Sequence, residues 1–233
     1  MPPMRTFSNW NSRSPKSEEQ IEPYRKYFFI CEGANTECYY FKHLIDNRKI
    51  LGLHPLIDIR YVEKENPGDS YVGKLIDTAD KLKEDKTISF VKSHDQIIIV
   101  FDYDIFQGYE NSKFNELFKG KDEYIKAISN PKFELFLLLH FENTYEDKIK
   151  NNEQKILSRD KVEGQKRYID IALIPYIDGI NPKKNIDIGK VAAKINIAIE
   201  QEKLINQDIT KCENNVTCNI GQVIEMIKAD TCK

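Results

Sequence analysis

Two short apolar runs, each followed at once by acidic residues, organise the pattern of hydrophobic and polar positions along the chain. The first run is Tyr27–Cys31, and Glu32 follows it directly. The second run is Ile97–Phe101, which leads into Asp102 and, two residues later, Asp104. An unbroken apolar run of this length is typical of a strand that is buried on both faces of a sheet. We therefore predict two buried strands with carboxylates at their carboxyl ends, where open α/β sheets bind their ligands.

The segments around these runs alternate between helical and extended patterns. Apolar residues at helical spacing predict a helix over Glu37–Leu51, with Asn35 or Thr36 as its N-cap. The alternating stretch Leu56–Val62 predicts a strand, and a second helix over Ser70–Asp85 follows a turn. The resulting β-α-β-α-β order predicts an α/β fold with a mostly parallel, Rossmann-like sheet flanked by helices.

The second half of the chain is expected to be mainly helical. The apolar stretch Phe133–Phe141 fits either a buried strand or a buried helix, and we favour a helix entered through a turn at Asn130–Pro131. Further helical patterns are those of 114–118, 124–128, Tyr168–Ile177, Ile186–Ile205 and Val216–Ile227. The expected organisation is a flexible basic tail (1–26), a core (27–143) and a mainly helical region (144–233) that completes the same domain.

Composition excludes several classes of protein. The chain of 233 residues has 40% hydrophobic and 31% charged residues, which indicates a globular rather than a disordered protein. No apolar stretch approaches the roughly 20 residues that span a bilayer, so we expect no membrane segment. Five cysteines without an export signal predict reduced thiols in the cytoplasm, and Cys212 and Cys218 lack zinc-site spacing. Because the net charge is −2, a nucleic-acid partner would need a local basic face.

The carboxylates suggest a metal site. Alternation along an extended chain would place Asp102 and Asp104 on the same side. Oxygen ligands without His or Cys favour Mg²⁺ or Mn²⁺, which bind phosphate and activate water. Glu37 lies one helical turn from the Glu32 loop and would complete a second ion site. Glu134 opens a nearly apolar segment, so it must be paired, hydrogen-bonded or bound to metal.

Each of these residues also has a structural interpretation. Glu37 is equally explained as a favourable charge at a helix N-terminus, and an Asp-x-Asp sequence is common in turns. Glu134 would be satisfied by a lysine or arginine, and His140 by hydrogen bonds inside the core. Lys183 and Lys184 fit a solvated loop, although a lysine on such a loop is also well placed to reach a phosphate.

Three sequence blocks resemble a known family. A Glu after one strand and an Asp-x-Asp after a later strand are similar to the Toprim fold of topoisomerases, primases and overcoming-lysogenization-defect nucleases. The blocks FFICEGANTECYYFKHL, IIIVFDYD and SNPKFELFLLLHFEN resemble the RloB family, in order and in spacing. Two positions depart from the family pattern, because Tyr103 replaces a basic residue and Phe136 replaces a Trp.

The resemblance implies roles for particular residues. Glu32, Asp102 and Asp104 would be the metal ligands, and Glu37 and Glu134 would lie in or beside the coordination sphere. Gly33, Asn130 and His140 would support the site. Together with the two lysines, the candidate residues are Glu32, Gly33, Glu37, Asp102, Asp104, Asn130, Glu134, His140, Lys183 and Lys184.

The predicted function is a Toprim-type nuclease that depends on Mg²⁺ or Mn²⁺ and cuts DNA or RNA, tRNA included. The resemblance further implies a bacterial anti-phage, abortive-infection effector that acts beside an ABC/AAA-type ATPase. One alternative is a non-catalytic binding or sensor subunit that docks on that ATPase. Another is a primase-like phosphoryl transferase, although no phosphate-binding Gly-rich loop is present. A homo-oligomer is compatible with the sequence.

Overall fold

The central layer of the fold is a five-stranded sheet in the order β2-β1-β3-β4-β5. A computed structural model describes residues 24–64, 66, 71–106 and 112–231. The first four strands are parallel, and the short last strand pairs antiparallel with β4. This arrangement confirms the predicted α/β class. The strands are β1 (Arg25–Cys31), β2 (Ile57–Tyr61), β3 (Gln96–Asp102), β4 (Tyr124–Asn130) and β5 (Thr217–Cys218).

Eight α-helices within the described residues flank this sheet. They are α1 (Thr36–Asp46), α2 (Val72–Glu84), α3 (Ser112–Leu117), α4 (Glu134–Leu138), α5 (Glu153–Leu157), α6 (Tyr168–Leu173), α7 (Ile195–Glu202) and α8 (Ile220–Ala229). No helix in the described part of the chain is long and apolar enough to cross a membrane.

Helices on both faces explain why the central strands are apolar throughout. Phe28 and Ile30 of β1 pack in a cluster with α2 and α3, whereas Phe29 and Cys31 pack in a larger cluster with α1, α4, α6, α7 and α8. Successive strand residues point to opposite faces, so a strand covered on both sides needs no polar position. The C-terminal helices thus share one hydrophobic cluster with the sheet.

The strand registers bring the carboxyl ends of β1, β3 and β4 to the same edge of the sheet, here called the carboxyl edge. Cys31 of β1 lies opposite Val100 of β3, and the Glu32 amide donates to the Val100 carbonyl at 2.9 Å. Asp102 of β3 lies opposite Ser129 of β4. Glu32 and Asp102 are therefore neighbours across adjacent strands.

The helix predicted over 124–128 is wrong, because this segment is strand β4. Tyr124 and Ile128 are buried in the cluster on one face of the sheet and Ala127 in the cluster on the other, and four consecutive residues from Ala127 to Asn130 are buried. The apolar spacing fits either state in isolation, and pairing with β3 decides it. The side chain of Asn219 adds to this edge of β4: its Oδ1 accepts from the Ile128 amide at 2.6 Å, and its Nδ2 donates to the Lys126 carbonyl at 2.8 Å.

Other boundaries differ more modestly. The buried helix favoured within Phe133–Phe141 is confirmed as α4. The predicted helix over Ile186–Ile205 is a 3₁₀ segment, Ile186–Lys194, followed by α7. The one predicted over Val216–Ile227 begins with β5 and becomes helical only at Ile220. These differences leave the layer order unchanged.

The boundary of the N-terminal tail also shifts. The first strand starts at Arg25, two residues before its predicted start. The Lys26 amide donates to Asp95 Oδ1 at 2.9 Å, which anchors this end of β1. Most of the predicted basic tail, residues 1–23, lies outside the described residues.

Candidate active site

An open cleft of about 970 Å³ lies at the carboxyl edge. It sits at the ends of β1 and β3, between which the chain's crossover connections change direction. Such a switch point is where open α/β sheets bind ligands. All five carboxylates predicted as metal ligands line this cleft: Glu32, Glu37, Asp102, Asp104 and Glu134.

Glu32 and Asp102 are linked directly. The Asp102 amide donates to Glu32 Oε2 at 3.0 Å, and the Ser129 hydroxyl donates to Asp102 Oδ1 at 3.0 Å. Lys64 donates to the Glu32 carbonyl. Three adjacent strands thus fix the two carboxylates relative to each other. Ser129 was not predicted, because its role depends on the register of a strand that sequence analysis assigned as a helix.

Asp104 reaches the cleft by a different route from the one predicted. The extended backbone of β3 ends at Asp102, and Tyr103–Phe106 forms a 3₁₀ turn. The predicted alternation of Asp102 and Asp104 is therefore wrong, since it requires extended chain at both residues. Both side chains still line the cleft. Asp104 Oδ2 accepts from Arg167 Nη1 at 2.7 Å.

Gly33 leaves room for the Glu37 carboxylate. Glu37 lies in the first turn of α1 and is buried. A Cβ atom at Gly33 would lie 1.8 Å from Glu37 Oε2, well inside van der Waals contact. The carboxylate can therefore keep its position only if residue 33 has no side chain. This contact gives a physical reason for the supporting role assigned to Gly33.

Burial and mutual repulsion raise the pKa values of the carboxylates. Burial, followed by the negative charges of Glu37 and Asp104, raises the pKa of Glu32 to about 7. Burial, followed by the charge of Glu134, raises the pKa of Glu37 to about 7. The pKa of Asp102 is also raised well above its ordinary value by burial and by the surrounding carboxylates. Carboxylates outnumber cations in the lining of the cleft, so the cluster favours binding either protons or a further cation.

A half-buried lysine balances part of this charge. Lys132 Nζ lies 3.3 Å from Glu134 Oε2 and 2.6 Å from Asp170 Oδ1. Burial lowers the pKa of Lys132, but the charges of Glu134 and Asp170 outweigh that effect and raise it. Glu134 thus has the cationic partner that its alternative interpretation required. Lys132 was missed although it stands two residues before Glu134, and Asp170 gave no sequence signal.

Asn130 and His140 lie among other groups and do not line the cleft. Asn130 Nδ2 donates to the carbonyls of Cys212 at 2.7 Å and Asn215 at 2.8 Å. His140 is fully buried, with Nδ1 2.9 Å from the Phe136 carbonyl and Nε2 2.9 Å from the Tyr40 hydroxyl. Because a carbonyl only accepts, Nδ1 donates and the neutral ring accepts from Tyr40.

Burial lowers the pKa of His140 to about 4, which keeps the ring neutral at physiological pH. These contacts match the alternative of a satisfied core histidine.

The two lysines of the predicted loop are separated by the fold. Both side chains are exposed, but only Lys183 lines the cleft, and Lys184 lies outside its lining. Both belong to a 3₁₀ turn, Pro182–Lys184, and Asn181 is its N-cap. The Oδ1 atom of Asn181 accepts from the Lys183 amide at 3.0 Å. Further cations in the lining were not predicted: Lys132, Lys161, Lys166 and Arg167.

The donor set fits a hard divalent cation, although the side chains now face protein partners. In the described residues, no group of three or more His, Cys, Asp or Glu side chains is arranged as a metal site. Glu32 bonds the Asp102 amide, Asp104 bonds Arg167, and Glu134 bonds Lys132. The chemistry nevertheless suits Mg²⁺ or Mn²⁺, because the lining offers oxygen ligands and an excess of negative charge.

A hydroxyl beside the carboxylates also lacks a partner. Thr36 lines the cleft, and its Oγ1 is buried without a hydrogen-bond partner among the described residues. Burial of an unpaired hydroxyl is unfavourable. This oxygen has almost no accessible surface, so a ligand in the cleft would reach it only if neighbouring side chains moved.

Comparison with known proteins supplied one match. A family model described as RloB-like protein matches residues 27–227 of the chain. All the candidate residues fall inside this range. Searches of curated proteins and of solved structures found no match.

Proposed function

Because this chain belongs to the RloB-like protein family, we propose that it is a Toprim-type nuclease dependent on a divalent metal ion. Its reaction is the hydrolysis of phosphodiester bonds in DNA or RNA, tRNA included. The observation that carries the proposal is the meeting of five carboxylates in one cleft at the switch point of the sheet. Buried carboxylates with raised pKa values in a cleft are typical of functional sites.

Each part of the cleft has a distinct role in this proposal. Glu32, Asp102 and Asp104 would hold Mg²⁺ or Mn²⁺, with Glu37 and Glu134 beside them. A bound ion of this kind neutralises charge on the phosphate and lowers the pKa of water. The hydrogen bonds of Glu32 and Asp102 keep two ligands in fixed positions.

Proton transfer and phosphate binding are assigned to other residues. A carboxylate beside the ion can take a proton from water, and Glu37 lies in the cleft lining next to the proposed ligands. Lys183 lines the cleft and is suited to hold a phosphate oxygen. Lys184 is exposed beyond the lining, so we assign it no direct contact with the scissile phosphate.

Nuclease assays on purified protein test the proposal. Supercoiled plasmid, single-stranded DNA and total tRNA are incubated with Mg²⁺, Mn²⁺ or EDTA. We expect cleavage of at least one substrate with a cation, and a loss of about 100-fold or more in Glu32→Gln and Asp102→Asn. Glu142→Gln is the matched control, because Glu142 is an exposed carboxylate outside the cleft lining.

Two outcomes would contradict the nuclease proposal. Cleavage that persists in EDTA, or equally in both cleft variants, would show that the carboxylates do not carry the chemistry. Tight nucleic-acid or protein binding without cleavage would instead support the non-catalytic alternative.

The biological role rests on the family resemblance. We propose an anti-phage, abortive-infection effector in the cytoplasm, restrained by an ABC/AAA-type ATPase partner. Phage challenge of cells that express the wild type or Glu32→Gln, with the neighbouring ATPase present or absent, tests this role. We expect protection accompanied by broken DNA or RNA in the wild type only. Protection by the folded variant would refute the catalytic basis of the defence.

A further inference from the structure

A basic hairpin, defined here as Arg159–Arg167, forms one wall of the cleft. The Val162 amide donates to the Lys166 carbonyl at 2.9 Å, and the Lys166 amide donates to the Glu163 carbonyl at 2.9 Å. Gly164 takes the left-handed conformation that the turn needs, with φ of +56°. All residues from 159 to 166 are exposed. The hairpin therefore stands out from the domain beside the carboxylates.

The hairpin supplies the local basic face that a nucleic-acid partner requires. Lys161, Lys166 and Arg167 line the cleft, although the chain as a whole has a net charge of −2. Phosphodiester backbones are bound mainly through such lysine and arginine contacts. The wall can thus follow a backbone whose scissile phosphate lies at the carboxylates.

Two cations of the hairpin converge on Asp104. Arg167 Nη1 lies 2.7 Å from Asp104 Oδ2, and each side chain keeps 19% of its surface exposed. Arg159 donates to the Asp104 carbonyl. The carboxylate proposed as a metal ligand is therefore already engaged by an arginine. A cation that uses the same oxygen must displace Arg167.

We propose, on the basis of the proposed function, that Arg167 is a phosphate-binding residue that pairs with Asp104 until a divalent cation takes that carboxylate. The released guanidinium then holds a phosphate of the substrate, together with the rest of the basic hairpin. A planar guanidinium matches carboxylate and phosphate equally well, so one side chain serves both partners. The exchange involves no covalent step. Asp104 is paired with a cation before and after it, and Arg167 is paired with an anion before and after it.

The first experiment measures Mn²⁺ affinity without substrate, in wild type, Arg167→Gln, Arg167→Lys and Lys161→Gln. Removal of the competing guanidinium should raise the Mn²⁺ affinity of Arg167→Gln by about tenfold. Lys161→Gln removes a positive charge from the same hairpin without freeing Asp104, so its affinity should rise by about twofold at most. Arg167→Lys keeps the charge and should fall between wild type and Arg167→Gln.

The second experiment measures binding of a fluorescent single-stranded DNA and of an RNA of the same sequence, with and without Ca²⁺. Wild type should bind more tightly when Ca²⁺ is present, because Arg167 is then free for phosphate. Arg167→Gln should lose most of this gain although it binds the cation better. Opposite changes in cation and oligonucleotide affinity are not expected from a purely structural defect. Thermal unfolding confirms that each variant is folded.

The results separate this inference from the function on which it rests. If wild type binds Mn²⁺ and cleaves, but Arg167→Gln has wild-type Mn²⁺ and oligonucleotide affinity, the exchange is refuted and the nuclease proposal stands. If wild type binds no Mn²⁺ at millimolar concentration, both are refuted. If Arg167→Gln gains Mn²⁺ affinity and loses the cation-dependent gain in oligonucleotide affinity, the exchange is supported.

Discussion

Replacement of Glu37 by glutamine should stabilise the metal-free protein, and only at neutral or alkaline pH. Burial raises the pKa of Glu37 from 4.5 to about 7, and Glu134 adds to the effect, while Lys183 and Lys64 oppose it. The folded protein therefore binds this proton more tightly than the unfolded chain does. The contribution of the protonated Glu37 carboxyl group to the free energy of unfolding is present below pH 4.5 and is lost as the pH rises through 7.

The size of the effect follows from the shift in pKa. A difference of about 2.5 units, at about 1.36 kcal/mol per unit, is on the order of 3 kcal/mol. Glu37 and the neighbouring carboxylates titrate together, so the shift in pKa is a property of the whole cluster. Replacement of Glu37 alone therefore recovers only part of this free energy. At pH 8 we expect Glu37→Gln to raise the free energy of unfolding by roughly 2 kcal/mol.

Urea unfolding in EDTA at pH 5 and at pH 8 measures this difference. Glu142→Gln, an exposed change outside the cleft lining, is the control and should leave the free energy of unfolding unchanged at both pH values. Addition of Mn²⁺ should stabilise wild type much more than Glu37→Gln. Equal destabilisation of Glu37→Gln at both pH values would refute the idea that the cleft carries unbalanced negative charge.

Two further variants probe the same cluster. Gly33→Ala should displace the Glu37 carboxylate, since the added Cβ would lie 1.8 Å from its Oε2. We expect Mn²⁺ affinity, measured by titration calorimetry, to fall about tenfold with little loss of thermal stability. Unchanged affinity would contradict this contact. Lys132→Met should cost on the order of 3 kcal/mol in urea unfolding, because it leaves Glu134 and Asp170 without their shared cation. Lys203→Met, which removes more exposed surface pairs with Glu200 and Glu225, should cost less than about 1 kcal/mol, and equal costs for the two variants would be inconsistent with this reasoning.

The central strands were predictable because their burial leaves a mark in the sequence itself. Each is covered on both faces, so each is an unbroken apolar run, and the first polar residue marks its carboxyl end. Glu32 and Asp102 could be placed at one edge for that reason alone. Strand β4 left no such mark, since Ile125 and Lys126 are only half-buried and interrupt the apolar run.

The cations of the site could not be predicted for a related reason. Arg167 is 63 residues from Asp104, and their contact depends on where the fold places the basic hairpin relative to the cleft. Local patterns carry no record of such contacts. Carboxylates at strand ends have a position fixed by the sheet, whereas a lysine or arginine in a polar loop looks the same whether it faces solvent or a site.

Coverage of the outer edge of β4 protects the protein from self-association through strand pairing. An uncovered edge strand offers free amides and carbonyls to any other chain with an open edge. Here two residues of β5 and the Asn219 side chain occupy that row of groups. A chain that ended before Thr217 would leave these backbone groups of β4 unpaired, and we expect such a fragment to aggregate through strand pairing. The segment 217–219, which leads into α8, thus also protects the domain from self-association through β4.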